Sequence, residues 1–168
     1  RKVIRKNLEI AFPDQPPAER QKIYKAFVRG FSEIVAEMIQ GFSMSRKDFQ
    51  KQIKFQIPKE LEEALAEDQD IFIAGAHINQ WEWGAIAAGM EFPRRVAGIY
   101  KPLSSGPMDA LMLRLRQRMG THMIPMEQVV RDLLRKDREK TIYLFLADQS
   151  TPFVDKAHWV NFFGYSTP

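Results

Sequence analysis

Residues 71–84 read IFIAGAHINQWEWG: an apolar run ending in small residues, a histidine, an amide pair, then a glutamate between two tryptophans. His77 is one of only three histidines in the chain. Glu82 follows it by five positions. A neutral imidazole can take a proton from a hydroxyl, and a carboxylate beside it can fix its tautomer and stabilise the imidazolium. Within one continuous helix the two side chains would point ~140° apart. They converge if His77 lies in the turn after a strand and Glu82 in the first turn of the next helix. Asn79 suits the N-cap of that helix, which puts Glu82 at the capping-box position. Each residue also has a purely structural use: Glu82 as a helix cap, His77 as a hydrogen-bonded histidine at a strand end. Location favours the dyad, because open α/β sheets take their ligands beyond the carboxyl ends of the strands.

Other chemistries find less support. The chain has no cysteine, which removes disulfides, thiolate metal sites and a cysteine nucleophile. His77, His122 and His158 are far apart, no HExxH is present, and no metal site is expected. There is no GxSxG elbow, and Ser104-Ser105 falls in a Pro/Gly loop. The phosphate-cradling GxxxxGK[ST] is also missing. If His77 is a base, the nucleophile left to it is the substrate's own hydroxyl, attacking an activated acyl group. That is direct acyl transfer without a covalent enzyme intermediate.

The elements that must position these residues follow from the hydrophobic rhythm. The chain has 168 residues, 45% hydrophobic and 27% charged, enough for one folded domain with a sizeable core. Residues 1–11 suit a short amphipathic helix, and Pro16-Pro17 opens a helical pattern from about 18 to 41. Residues 42–57 are mixed, with Phe49, Ile53, Phe55 and Ile57 alternating toward the end as in an extended piece. Pro58 opens a short helix over 59–67. After that, apolar runs at 71–76, 95–100, 122–124 and 141–146 read as strands, with 159–163 as a further one. They alternate with helical patterns at 80–90, 108–119 and 127–138. Such alternation predicts βαβ crossovers. The expected fold class is α/β: a helical N-terminal segment (1–67) packed on a mainly parallel or mixed sheet with flanking helices (68–168), together one domain.

Net charge is +4, a mild excess that fits an anionic partner such as phosphate, a membrane surface or an acidic protein. No zinc finger, RNA-recognition aromatic signature or dense basic stripe is present, so no nucleic-acid partner is expected. No apolar run approaches the ~20 residues of a membrane span. The opening Arg1-Lys2-Val3-Ile4-Arg5-Lys6 is already charged and periodic, and the chain reads as a fragment of a longer protein.

Gly75-Ala76-His77, then Trp81-Glu82 and Gly84, resembles the HxxxxE signature of the lipid A biosynthesis (late, or secondary) acyltransferases of Gram-negative envelopes, distant relatives of the HxxxxD glycerolipid acyltransferases. Further matches follow in order. Tyr100-Lys101-Pro102-Leu103 resembles the family's Y-[RK]-P-L segment. Pro107-Met108-Asp109 with Arg116 and Gly120 resembles its P-x-D…R…G stretch. Asp148-Gln149 resembles its DQ and Phe162-Phe163-Gly164 its FFG, while Asn7-Leu8…Ala11-Phe12-Pro13 fits its opening region.

The resemblance implies a glycerolipid-acyltransferase-like fold, with an N-terminal membrane anchor and a C-terminal part outside this chain. It implies an O-acyltransferase moving a fatty acyl group from acyl-acyl carrier protein or acyl-CoA to a hydroxyl of a lipid A precursor or similar phosphorylated glycolipid. The work would be done at the cytoplasmic face of the inner membrane, with no cofactor. His77 would be the base and Glu82 its partner. Arg116 would bind a substrate phosphate or a developing oxyanion. Asp148 would orient Arg116 or contact the acceptor, and Lys101 would add to an anionic-lipid surface. Phe162-Phe163 would line an acyl channel or pack a core. Two rival readings remain: an acyltransferase for another acceptor, such as a phosphoinositol mannoside or an aminolipid, and a non-catalytic lipid- or carrier-binding module.

Overall fold

The computed structural model describes residues 1–149 and 154–168. Among the described residues, seven helices run in chain order: α1 (Lys2–Ala11), α2 (Pro17–Gln40), α3 (Arg46–Gln52), α4 (Lys59–Ala66), α5 (Trp81–Glu91), α6 (Gly106–Gln117) and α7 (Val129–Leu133). Interleaved with them are β1 (Ile71–Gly75), β2 (Arg95–Tyr100), β3 (His122–Pro125) and β4 (Thr141–Leu146), followed by β5 (Val160–Phe162) and β6 (Tyr165–Thr167). The fold class is α/β as expected. All pairings in the four-stranded sheet are parallel, in the order β1-β4-β2-β3. The chain divides into two compact units, Glu37–Asp148 and Arg1–Ala36 with Gln149–Pro168, so that α2 runs across the division.

The larger unit holds the sheet. On one face, Ile71, Val96 and Ile142 pack with Ala88 and Phe92 of the α5 region, backed by Phe55, Ile57, Leu61 and Leu65. On the other, Ala97, Ile124 and Tyr143 pack with Val129 and Leu133. A third cluster joins Phe49 of α3, Trp83 and Ile86 of α5, and Met112 and Leu115 of α6. Trp83 thus belongs to the core, where its ring meets Phe49 edge-on at 6.0 Å. The α5–β3 approach depends on glycine. A Cβ at Gly89 would lie 2.3 Å from the Thr121 amide nitrogen, so only glycine lets the helix sit this close. The Thr121 hydroxyl donates to the Ala85 carbonyl at 2.7 Å across the same contact.

Several local expectations are corrected. Residues 46–52, within the stretch read as mixed, form α3. Ser45 and Asp48 close a capping box there, and Phe49 is fully buried. The helix expected over 127–138 is a single 3-10 turn at Met126–Gln128 and a short α7. The chain then turns so that Arg138 and Thr141 can reach Asp70. β1, expected as a buried strand, buries only Ile71. It pairs only with β4, and Phe72 stays exposed while stacking on Tyr143 and Phe145. α5 begins one residue later than Asn79 capping would require: Gln80 is the N-cap, with no side-chain cap bond, and Asn79 adopts φ 50°.

In the smaller unit, α1 and the first part of α2 meet where the Arg5 guanidinium lies 5.0 Å from the centre of the Tyr24 ring. β5 and β6 form an antiparallel hairpin whose turn places Phe163 and Gly164 at positive φ. The Gly164 amide donates to the Asn161 carboxamide oxygen at 2.8 Å. Phe162 and Phe163 meet edge-on and are both exposed, so neither is a core residue.

Candidate active site

Two neighbouring strand ends build the site. Parallel pairing sets Gly75 of β1 opposite Leu146 of β4. The ladder runs one step further, with the Ala147 amide donating to the Gly75 carbonyl at 2.9 Å. Two residues past each paired position lie His77 and Asp148. They meet twice: the His77 backbone amide donates to Asp148 Oδ2 at 2.9 Å, and His77 Nδ1 lies 2.7 Å from Asp148 Oδ1. The hydrogen bond from the His77 ring, aided by its backbone amide, holds the Asp148 carboxyl below the usual carboxylate range. A carboxylate can only accept, so Nδ1 carries a proton, and in the neutral ring Nε2 is the nitrogen with the lone pair. Among the described residues nothing bonds Nε2. The Trp81 ring stands edge-on to the imidazole at 5.2 Å.

Glu82 goes elsewhere. It is buried near the start of α5 and takes the Arg116 guanidinium from α6 in a fork, Nε donating to Oε2 at 2.8 Å and Nη2 to Oε1. Burial works against the charge on Arg116. The hydrogen bond and charge of Glu82, with Asp109 further off, outweigh it and raise its pKa. The guanidinium also lies 6.0 Å from the centre of the Tyr100 ring, at the carboxyl end of β2. Burial, and next the charge of Asp109, push the Tyr100 phenol up. Asp109 accepts the Leu103 amide at 2.8 Å and so fixes the loop entering α6. Lys101, the first residue beyond β2, is exposed.

The structure therefore exchanges the expected partners. His77 pairs with Asp148 instead of Glu82, and Arg116 pairs with Glu82 instead of Asp148. The cause lies in the strand order. β4 inserts beside β1 and delivers Asp148 to His77, while Glu82, on α5, faces α6. Tyr100 and Asp109 lie inside the quoted motifs; Asp109 precedes Arg116 by seven residues, two turns along one helix face, a signal that could have found it, whereas nothing in the spacing points to Tyr100. A surface hollow of about 490 Å³, lined by Asp68, Phe92, Pro93, Arg94, Arg95, Glu139 and Lys140, lies at the opposite, amino ends of the strands. Its cations are already engaged: Arg94 donates to the Leu65, Glu67 and Gln69 carbonyls, and Arg95 to Asp132. No three metal-ligating side chains converge among the described residues.

Residues 1–167 match the family described as bacterial lipid A biosynthesis acyltransferase. The chain belongs to that family. A lipid A biosynthesis acyltransferase of Haemophilus influenzae is 26% identical over 141 residues, covering 84% of this chain and 44% of the relative. The chain thus spans less than half the length of that curated relative. Among the described residues, no helix is long and apolar enough to cross a membrane. The carboxyl end of the sheet offers one oriented imidazole and one half-buried guanidinium paired with Glu82. The guanidinium keeps N–H groups beyond the two spent on Glu82.

Proposed function

We propose that the protein is an O-acyltransferase that moves a fatty acyl group from a thioester donor, acyl-acyl carrier protein or acyl-CoA, to a hydroxyl of a lipid A precursor or similar phosphorylated glycolipid. His77 Nε2 takes the proton of the acceptor hydroxyl as its oxygen attacks the thioester carbonyl carbon. A C–O bond forms and the carbonyl electrons move to oxygen. The tetrahedral intermediate then collapses, the C–S bond breaks, and the imidazolium returns its proton to the departing thiolate. Asp148 holds the ring in the required tautomer and stabilises the imidazolium. Glu82 is a positioning residue that fixes Arg116. Arg116 binds a substrate phosphate or the oxyanion, with Lys101 as a further cation at the same end. No metal or bound organic cofactor enters the scheme. The acceptor's chemistry puts the work at the cytoplasmic face of the bacterial inner membrane.

The observation that carries this reading is the two-point bond between His77 and Asp148, which leaves Nε2 open at the carboxyl end of a parallel sheet. It is tested in membranes containing the protein, given radiolabelled acyl-acyl carrier protein and a lipid A precursor. His77→Ala is expected to lower transfer by about 10³-fold while leaving the fold intact. Equal transfer by wild type and variant would sink the mechanism.

A further inference from the structure

Tyr24, Phe27, Val28, Phe31 and Val35 recur on α2 at the spacing that normally turns one helix face toward a core. On an ideal helix these five positions fall within an arc of ~100°. Here that arc faces solvent. α2 has 24 residues and none is buried. Phe27 is 51% and Phe31 52% exposed, their rings stacked at 6.2 Å, with Val28 and Val35 exposed beside them.

Charge is concentrated on the same segment. Residues 1–36 hold eight Lys and Arg against four Asp and Glu, a net of +4, and so carry the whole chain's excess of +4. The remaining residues balance. Lys22, Lys25 and Arg29 lie to one side of the apolar arc, and the Arg5 guanidinium of α1 covers its Tyr24 end. Lys22 and Arg29 hold only exposed pairs to Glu19 and Glu33, and Lys25 has no ion pair among the described residues.

We infer that α2 lies in the headgroup region of an anionic phospholipid bilayer, with the Phe27–Phe31 ridge buried in the acyl boundary and the flanking cations on lipid phosphates. Phenylalanines on one side and lysines and arginines beside them are what an in-plane interfacial helix requires. A neutral protein groove would account for the phenylalanines and leave the localised charge without a purpose. The inference is independent of the chemistry at His77.

The test is flotation of the 168-residue chain with vesicles of phosphatidylglycerol and phosphatidylethanolamine, and with phosphatidylcholine vesicles. Binding is expected on the anionic vesicles, falling as salt rises. Phe27→Ser with Phe31→Ser should weaken it by on the order of tenfold per phenylalanine. Lys25→Glu should weaken it less and flatten the salt dependence. Leu134→Ser removes another exposed apolar side chain, outside this segment, and should change nothing. His77→Ala should bind as wild type, which separates this result from any failure of catalysis. Undiminished binding by the double phenylalanine variant overturns the inference. So does wild type that ignores anionic vesicles yet self-associates in solution through the same two phenylalanines, which would give the ridge to a second copy of the chain.

Discussion

At the amino end of the sheet, Asp70 holds Arg138 through both carboxylate oxygens and also accepts the Thr141 amide. Beside it, Asp132 takes Arg95 in a fork and the Tyr143 hydroxyl at 2.6 Å. At the carboxyl end, Asp148 also uses both oxygens, but on a histidine. Side-chain exposure separates the two ends: 14% and 18% for Arg138 and Asp70, against 28% and 35% for His77 and Asp148. The amino-end clusters spend their groups on tying strands together. The carboxyl-end pair leaves one titratable nitrogen unspent and in reach of solvent. Similar acid–base contacts thus differ between the two ends in whether every polar group is satisfied. Glu82–Arg116 resembles the amino-end pairs, with side-chain exposures of 16% for Arg116 and 10% for Glu82.

The largest effect that can break this contrast is on rate. Asp148→Asn should lower acyl transfer by about 10³-fold, because an amide can stabilise the wrong tautomer and carries no charge. Its urea unfolding midpoint should match wild type. A variant that transfers normally, or that loses its fold, would make the two ends equivalent. Next comes Glu82→Gln, which leaves the Arg116 cation buried without its counter-charge. We expect about 3 kcal/mol of lost stability in urea unfolding, together with slower transfer. Loss of transfer at unchanged stability would move Glu82 from positioning into the chemistry itself.

The smallest effect sharpens the amino end. The Arg138 hydrogen bond holds the Asp70 carboxyl down to about 2 from 3.8. A carboxyl whose folded pKa lies below its unfolded value stabilises the protein above the unfolded value, and that contribution is lost as pH falls through the folded one. Asp70→Asn should therefore cost about 2 kcal/mol at pH 7 with transfer unaffected per folded molecule. The gap to wild type should close as pH falls from about 5 to about 2. A gap that persists at low pH would mean that the ionic bond to Arg138 is not what stabilises this end.

The periodic elements were legible locally. β2 and β4 fall where the β-branched and aromatic runs fall, because strand propensity and flanking turns act over a few residues. α3 is not legible in the sequence because one buried ring, Phe49, and a capping box set this short helix without a repeated apolar face. Asn79 was misjudged because a residue that caps well also tolerates positive φ.

The site divides the same way. The candidate residues His77 and Glu82 are singled out by residue type and spacing, and Arg116 and Asp148 by the family resemblance. Lys101 was named too, and it stands exposed at the same end of the sheet. Sequence by itself thus determined the main strands, the long helices and the family pattern along the chain. Only the tertiary structure decided who meets whom. His77 and Asp148 are 71 residues apart, and they touch because β4 pairs beside β1 in one particular register. Pairing order between parallel strands is set by how whole crossovers pack. No spacing along the chain encodes it.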